Sequence, residues 1–224
     1  MTTPTQTPAP SAAPAIPAAP AAPAEYLLWL DFETTGLWPE SDYPLEVACV
    51  VTTAHDLEPL DFYQKIICPP KMALDRMTDY VREMHTKNGL LELVERVGSI
   101  TPMSVIENDI IARTFHAAKA ATPGTVVLAG NTIHFDRRFI ARLMPSLHEF
   151  LHYRMLDVSA VRHALRVYAP ASSAEVERIM AEKDAQGNHR AMGDVQASIE
   201  EMRIYRDWLG AAITQATVAF REPR

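Results

Sequence analysis

Residues Tyr26 to Leu30 read Tyr-Leu-Leu-Trp-Leu, apolar at every position. A strand with one face in water alternates apolar and polar residues, and this run does not alternate. It therefore reads as a central strand covered on both faces. The strand is expected to end at Asp31, because Thr34-Thr35-Gly36 is turn-like. Leu45 to Thr53, rich in Val, is a second strand, and Phe62 to Ile67 is a third, stopped by Pro69-Pro70. Their short connections favour an antiparallel meander.

The pattern then changes. Thr101-Pro102 predicts a helix start, with Thr as the cap and Pro in the first turn. Ile106, Ile110, Ala117 and Ala121 form its apolar stripe, and Pro123-Gly124 closes it. Thr125 to Ala129 is a short strand ending at Gly130-Asn131, followed by a helix from Asp136 to Met144. Tyr153 to Val158 reads as a strand and Ser159 to Tyr168 as a helix. Residues Ala174 to Asp207 read as mainly helical, with a break at Gly187-Asn188. Strands followed by alternating strands and helices predict an α/β domain with a mixed sheet.

The chain has 224 residues, of which 48% are apolar, enough for one domain with a sizeable core. Residues Met1 to Ala24 stand apart. They are mostly Ala, Pro and Thr, and prolines at 4, 8, 10, 14, 17, 20 and 23 oppose both a helix and a continuous strand ladder. A disordered or polyproline-like tail is expected there, with the folded domain over 25–224. The tail lacks the basic start and unbroken apolar stretch of a signal peptide. No apolar run reaches membrane-span length. Cys49 lies in an apolar strand, and neither it nor Cys68 has zinc-like spacing. A buried, inert Cys49 thiol and a reducing cytoplasm fit this usage. The net charge of −7 argues against a protein that coats long nucleic acid. It leaves room for a short phosphate-bearing ligand held by a few arginines.

Three constellations carry candidate chemistry. In Asp31-Phe32-Glu33 the two carboxylates share one strand face. Side by side they repel unless a cation lies between them, which makes a hard-oxygen site for a divalent metal. The pair alone also fits a solvated strand end, and a second D-x-E, Asp56-Leu57-Glu58, occurs in a loop-like segment. Next, Gly130-Asn131-Thr132-Ile133-His134-Phe135-Asp136 turns sharply into a helix, where Asp136 is either a cap or a functional acid. Last comes His189-Arg190-Ala191-Met192-Gly193-Asp194. Five helical residues turn through about 140°, so a joint site needs His189 on the preceding loop and Asp194 in the first turns.

The order of these elements is more telling than any one of them. A D-x-E at the end of the first strand, an Asp after a Gly-Asn turn and a C-terminal H-x4-D resemble the DEDD exonucleases that carry a catalytic His. Within that class, LWLDFETTGL, GNTIHFDRRF, LHYRMLDVSA and NHRAMGDVQAS resemble the oligoribonuclease family, over about Tyr26 to Tyr205. The stretch His152-Tyr153-Arg154 through Ser159 is the most specific, since general proofreading exonucleases lack it.

The resemblance implies a ribonuclease H-like fold, a mixed β-sheet flanked by α-helices. It implies that Asp31, Glu33, Asp136 and Asp194 hold two divalent ions, Mg²⁺ or Mn²⁺, and that His189 is the general base. It places Leu37, His85 and Tyr80 against substrate bases, Tyr80 standing near a family tryptophan. Thr132, Arg154 and Ser159 match residues that bind the 5′ phosphate of a very short RNA, and Tyr153 matches a residue reaching the neighbouring site in a homodimer. The implied activity is 3′→5′ hydrolysis of short oligoribonucleotides, especially dinucleotides, to 5′-mononucleotides in the cytoplasm. Two rivals are a related exonuclease acting on DNA ends or longer RNA, and a catalytically silent binding module. The resemblance offers no role for the Ala/Pro tail.

Overall fold

A computed structural model describes residues 26–119, 122–184 and 190–221; the tail and His189 lie outside the described residues. Strands β1 (Tyr26–Thr34), β2 (Pro44–Thr53) and β3 (Pro59–Ile66) form the expected antiparallel meander. Helices α1 (Lys71–Asp75), α2 (Asp79–Lys87), α3 (Leu90–Val97) and α4 (Met103–Ala117) follow. Then come β4 (Val126–Gly130), α5 (His134–Leu143), α6 (Pro145–Phe150), β5 (Met155–Asp157), α7 (Val158–Tyr168), α8 (Pro170–Asp184) and α9 (Ala191–Arg221). The sheet order is β3-β2-β1-β4-β5, with β4 parallel to β1 and β5 parallel to β4. The sheet is thus mixed and β1 is central, as its composition requires.

Alternate residues of β1 serve two layers. Leu28, Leu30 and Phe32 join a core with Ile106 and Ile110 of α4 and Phe139 and Ile140 of α5. Leu27 and Trp29 join a second core with Val158 of α7, Val176 of α8 and Val195 and Ile199 of α9. The buried Trp29 indole N–H donates to Thr52 Oγ1 at 3.0 Å, which removes the penalty of burying it. By the same alternation, Asp31 and Glu33 point toward the α9 layer.

β1 does not stop at Asp31. Its ladder with β2 continues through Asp31↔Ala48, Phe32↔Val47 and Glu33↔Glu46, so backbone pairing carries the strand across the acidic pair. Helix α4 begins later than expected, with Pro102 as its N-cap and no side-chain capping bond. Thr101 is used elsewhere, its hydroxyl accepting from Cys68 N at 3.1 Å and its own N–H donating to Cys68 O. Ile106 and Ile110 are buried as expected, whereas Ala121 lies outside the described residues. Helices α1 to α3 occupy a region with no clear sequence pattern; α2 is capped by the Thr78 hydroxyl, which accepts from Val81 N. No helix among the described residues is long and apolar enough to cross a membrane.

Candidate metal centre and substrate groove

Asp31 and Glu33 meet Asp194, which stands in the first turn of α9. One carboxylate oxygen from each lies within 4.8 Å of the others. Burial, then the charges of Asp194 and Glu46, push the Asp31 carboxyl up to about 7. Burial, then Asp31, Asp194 and Glu46, push Glu33 up to about 8, against the opposing charge of Arg190. Without a cation the cluster therefore retains protons. A divalent ion reverses that preference, and an all-carboxylate donor set suits a hard cation.

Asp136 approaches from the other layer. It lies on α5, is 3% exposed, and its Oδ1 accepts from the Phe32 backbone N–H at 3.0 Å. It is not a helix cap: Ile133 holds the N-cap position of α5 and makes no capping bond. Burial and the neighbouring Asp31 raise its pKa well above the ordinary range, against the bond from Phe32. Three of the four expected acids thus form one tight group, and the fourth is anchored to the peptide between Asp31 and Glu33.

A fifth carboxylate, which no sequence motif marked, lies beneath them. Glu46 on β2 pairs across from Glu33 and is fully buried. Arg190 grips both its oxygens, Nε–Oε2 at 2.8 Å and Nη2–Oε1 at 2.6 Å, and Gln64 Nε2 adds a bond of 2.7 Å. Burial opposes ionisation of Glu46, but these bonds outweigh it and hold the carboxyl below its ordinary value. The sequence signal was a single carboxylate inside an otherwise apolar strand, which demands a partner.

His85 on α2 has no exposed surface. Its Nε2 lies 2.9 Å from the Thr34 carbonyl, so that nitrogen carries the hydrogen. Its Nδ1 faces Glu33 Oε2 at 3.9 Å and has no hydrogen-bond partner among the described residues. Burial lowers its pKa. The ring underlies the acid centre and presents no face to solvent.

Beside Glu33 runs a groove of about 580 Å³ whose lining includes Phe32, Leu37, Trp38, Arg76 and Tyr80. Leu37, Trp38 and Tyr80 are 68%, 65% and 76% exposed. The loop that displays Leu37 and Trp38 is braced by buried Asp42, which accepts from Trp38 N at 2.9 Å and Thr35 Oγ1 at 3.3 Å. A Cβ at Gly36 would collide with Asp42 Oδ2, so a larger residue there would displace the carboxylate that braces the loop.

Beyond β4, Thr132 and Ser159 come together with hydroxyls 3.1 Å apart, and Thr132 N donates to Ser159 Oγ at 3.0 Å. Thr132 has φ of 52°, a left-handed conformation rare for a β-branched residue. The preceding Gly130 is forced, since a Cβ there would lie 2.9 Å from Leu30 O. Asp157 caps α7 by accepting from Ser159 N and Ala160 N. Tyr153, 73% exposed, stacks on His152 with centroids 4.4 Å apart, and the Arg154 guanidinium lies 5.4 Å from the Tyr153 ring centre.

Residues 28–202 match the RNase_T exonuclease family. The chain is 42% identical over 182 residues to the oligoribonuclease of Mycobacterium leprae, covering 80% of this chain and 79% of that one. It is 38% identical over 184 residues to the oligoribonuclease of Chromobacterium violaceum, covering 81% and 93%. Among solved structures it resembles exonuclease I from Methylocaldum szegediense, with a TM-score of 0.58 at 18% identity, over 81% of this chain and 40% of that one. A product-bound exonuclease I gives 0.59 at 14% identity, over 83% and 44%. The chain spans under half the length of these solved neighbours, and the likeness to them is one of fold.

Proposed function

The chain belongs to the oligoribonuclease family of exonucleases, and from that membership we infer that it is a 3′→5′ exoribonuclease that hydrolyses short oligoribonucleotides, especially dinucleotides, to 5′-mononucleotides. The observation that carries this reading is the carboxylate group of Asp31, Glu33 and Asp194 at the head of an exposed apolar groove. The donor set fits divalent ions, held by these three with Asp136 and read as Mg²⁺ or Mn²⁺. Two such ions, when bound, supply Lewis-acid stabilisation of the entering and leaving oxygens. His189 accepts the proton of the attacking water, as a neutral imidazole does near pH 7. Water oxygen bonds to the phosphorus of the terminal phosphodiester, the bond to the penultimate O3′ breaks, and a 5′-mononucleotide leaves.

Leu37 and Tyr80 offer apolar faces for bases across the groove, whereas His85, expected against a base, is fully buried behind Glu33 and lines no part of the groove. Thr132, Ser159 and Arg154 form the pocket for a 5′ phosphate; a guanidinium can grip a phosphate with two charge-assisted bonds. Tyr153, exposed beside the edge strand β5, reaches the partner site of a homodimer. A cytoplasmic setting agrees with the two free cysteines, Cys49 and Cys68.

The test is to incubate 5′-labelled RNAs of about two to seven nucleotides with the protein, with Mn²⁺ or with EDTA, and follow each length. Mononucleotide release that requires the metal and favours the shortest RNA supports the reading. Equal rates at all lengths, or efficient attack on DNA ends, point to the related exonuclease instead.

A further inference from the structure

Asn131, at the end of β4, is the centre of a polar relay. Its Nδ2 donates to Ser198 Oγ at 2.9 Å, and Ser198 Oγ donates to the Asp194 carbonyl at 2.9 Å. Its Oδ1 accepts from Ser159 Oγ at 3.0 Å and from Arg162 Nη2 at 2.9 Å. Hydrogen bonds therefore run without a break from the backbone of Asp194, in the acid centre, to the paired hydroxyls of Ser159 and Thr132. Ser159 has one hydroxyl proton and gives it to Asn131, so in the Thr132–Ser159 bond the Thr132 hydroxyl is the donor, and Thr132 is tied into the same relay.

The relay is locked from behind. Arg162 Nε donates to Glu201 Oε1 at 2.6 Å, Nη2 also donates to Glu201, and Tyr205 OH adds a bond of 2.6 Å to the same carboxylate. Glu201 is 3% exposed and Tyr205 is fully buried. Glu201 is buried while the Arg162 side chain is 33% exposed, so the carboxylate depends on this one guanidinium, which in turn holds Asn131 Oδ1. Asp31, Asn131, Arg162, Asp194, Ser198 and Glu201 all line one pocket of about 450 Å³, so the pair borders the acid centre.

We propose that Asn131, fixed by the Arg162–Glu201 pair, is the positioning residue that sets the spacing between the acid centre and the Thr132–Ser159 hydroxyls, and thereby the preference for the shortest 5′-phosphorylated RNA. This rests on the reading of Thr132, Ser159 and Arg154 as a 5′-phosphate pocket. A span fixed by side chains on β4, α7 and α9 favours the substrate whose phosphate and scissile bond match it. A longer RNA, unable to place its 5′ phosphate there, gains nothing from the relay.

The experiment measures kcat/KM for a 5′-phosphorylated diribonucleotide and for its 5′-hydroxyl counterpart, and takes the ratio. Wild type, Arg154→Ala, Arg162→Met and the double variant Arg162→Met/Glu201→Gln are compared, with Mn²⁺ affinity followed by calorimetry. The double variant leaves no unpaired buried carboxylate, so it carries the test if the single one fails to fold. Both Arg162 variants are expected to lower the ratio by about tenfold or more while keeping Mn²⁺ affinity. A wild-type ratio in the folded double variant, with the ratio lost in Arg154→Ala, overturns the positioning role and leaves the pocket reading intact. A ratio near unity in wild type overturns both. Loss of Mn²⁺ affinity together with the ratio also overturns the proposal, because the pair would then serve the acid centre.

Discussion

The Asp136 carboxylate accepts a hydrogen bond from the backbone N–H of Phe32, the residue between Asp31 and Glu33. An acid from one packing layer is thereby tied to the strand whose own acids face the other. Asp136→Asn keeps an acceptor for that N–H and removes the charge. Metal-free Asp136→Asn should melt at or above wild type at alkaline pH, because a carboxyl whose ionisation is opposed by burial and by Asp31 has been replaced by a neutral amide. Hydrolysis should fall by about a thousandfold or more, given the several kcal/mol that metal-ion stabilisation contributes. Melting and turnover are to be measured on the same sample; wild-type turnover would remove Asp136 from the metal site.

The raised carboxyls give a pH signature. With Asp31 near 7 and Glu33 near 8, the folded metal-free protein holds protons that an unfolded chain has released by about pH 5. Where the folded state binds more protons, stability falls as pH rises. The melting temperature should therefore drop from about pH 5 to about pH 8 without metal. Glu46 acts in the opposite sense below that window, since its carboxyl is held under the ordinary value, and buried His85, whose pKa is lowered, acts in the opposite sense up to about pH 6.5, so the fall is expected to be clearest from about pH 6.5 to about pH 8. Divalent ions bind the deprotonated acids, so Mn²⁺ should stabilise more strongly as pH rises. Thermal melts with and without Mn²⁺ across the range decide this; a metal-free curve that rises with pH contradicts the assigned shifts.

Much of this site was legible in the sequence because its signals are local. The all-apolar Tyr26–Leu30 run specifies a central strand, and strand alternation places Asp31 and Glu33 on one face. The relations that were not legible are long-range. Glu46 meets Arg190 across 144 positions, and Asp136 meets Phe32 across 104. Asn131 looked like a turn residue, yet its amide joins α7 to α9. Helices α1 to α3 are short, and tertiary burial of Ala73, His85, Leu90 and Val94, which no local pattern announces, helps hold them in place. β1 runs past Asp31, up to the turn-like Thr34-Thr35-Gly36, because backbone pairing with β2 continues beneath the acid cluster.

His189→Ala should slow hydrolysis by about 10²–10⁴-fold, the usual contribution of a general base. Its role assigns it no metal, so Mn²⁺ affinity should be largely retained. Calorimetric titration alongside turnover separates the two possibilities. If affinity collapses with activity, His189 is a ligand and the base must be sought elsewhere.

Leu37 and Tyr80 are large, exposed and face one groove. Base stacking on an apolar or aromatic surface contributes about 1–3 kcal/mol per base. Leu37→Ala and Tyr80→Ala should therefore weaken dinucleotide binding by about fivefold to about a hundredfold, seen mainly in KM. Both positions are solvated, so melting should barely change. Unchanged KM in both variants would move the bases out of this groove.

Tyr153 offers a test of shared sites. It is 73% exposed, stacked on His152 and adjacent to Arg154, next to the edge strand β5. An exposed aromatic held rigid by its neighbours is suited to reach a second copy of the chain. If it completes the partner's phosphate pocket, Tyr153→Ala and Asp31→Ala are each impaired for different reasons. Mixing them allows heterodimers in which one site has intact acids from one protomer and an intact Tyr153 from the other. Statistical mixing makes about half of the dimers hybrid, each with one repaired site, so about a quarter of wild-type activity should return. The hybrids are to be confirmed by tagging each variant differently. Hybrids that form without regained activity would show that each site is complete within its own protomer.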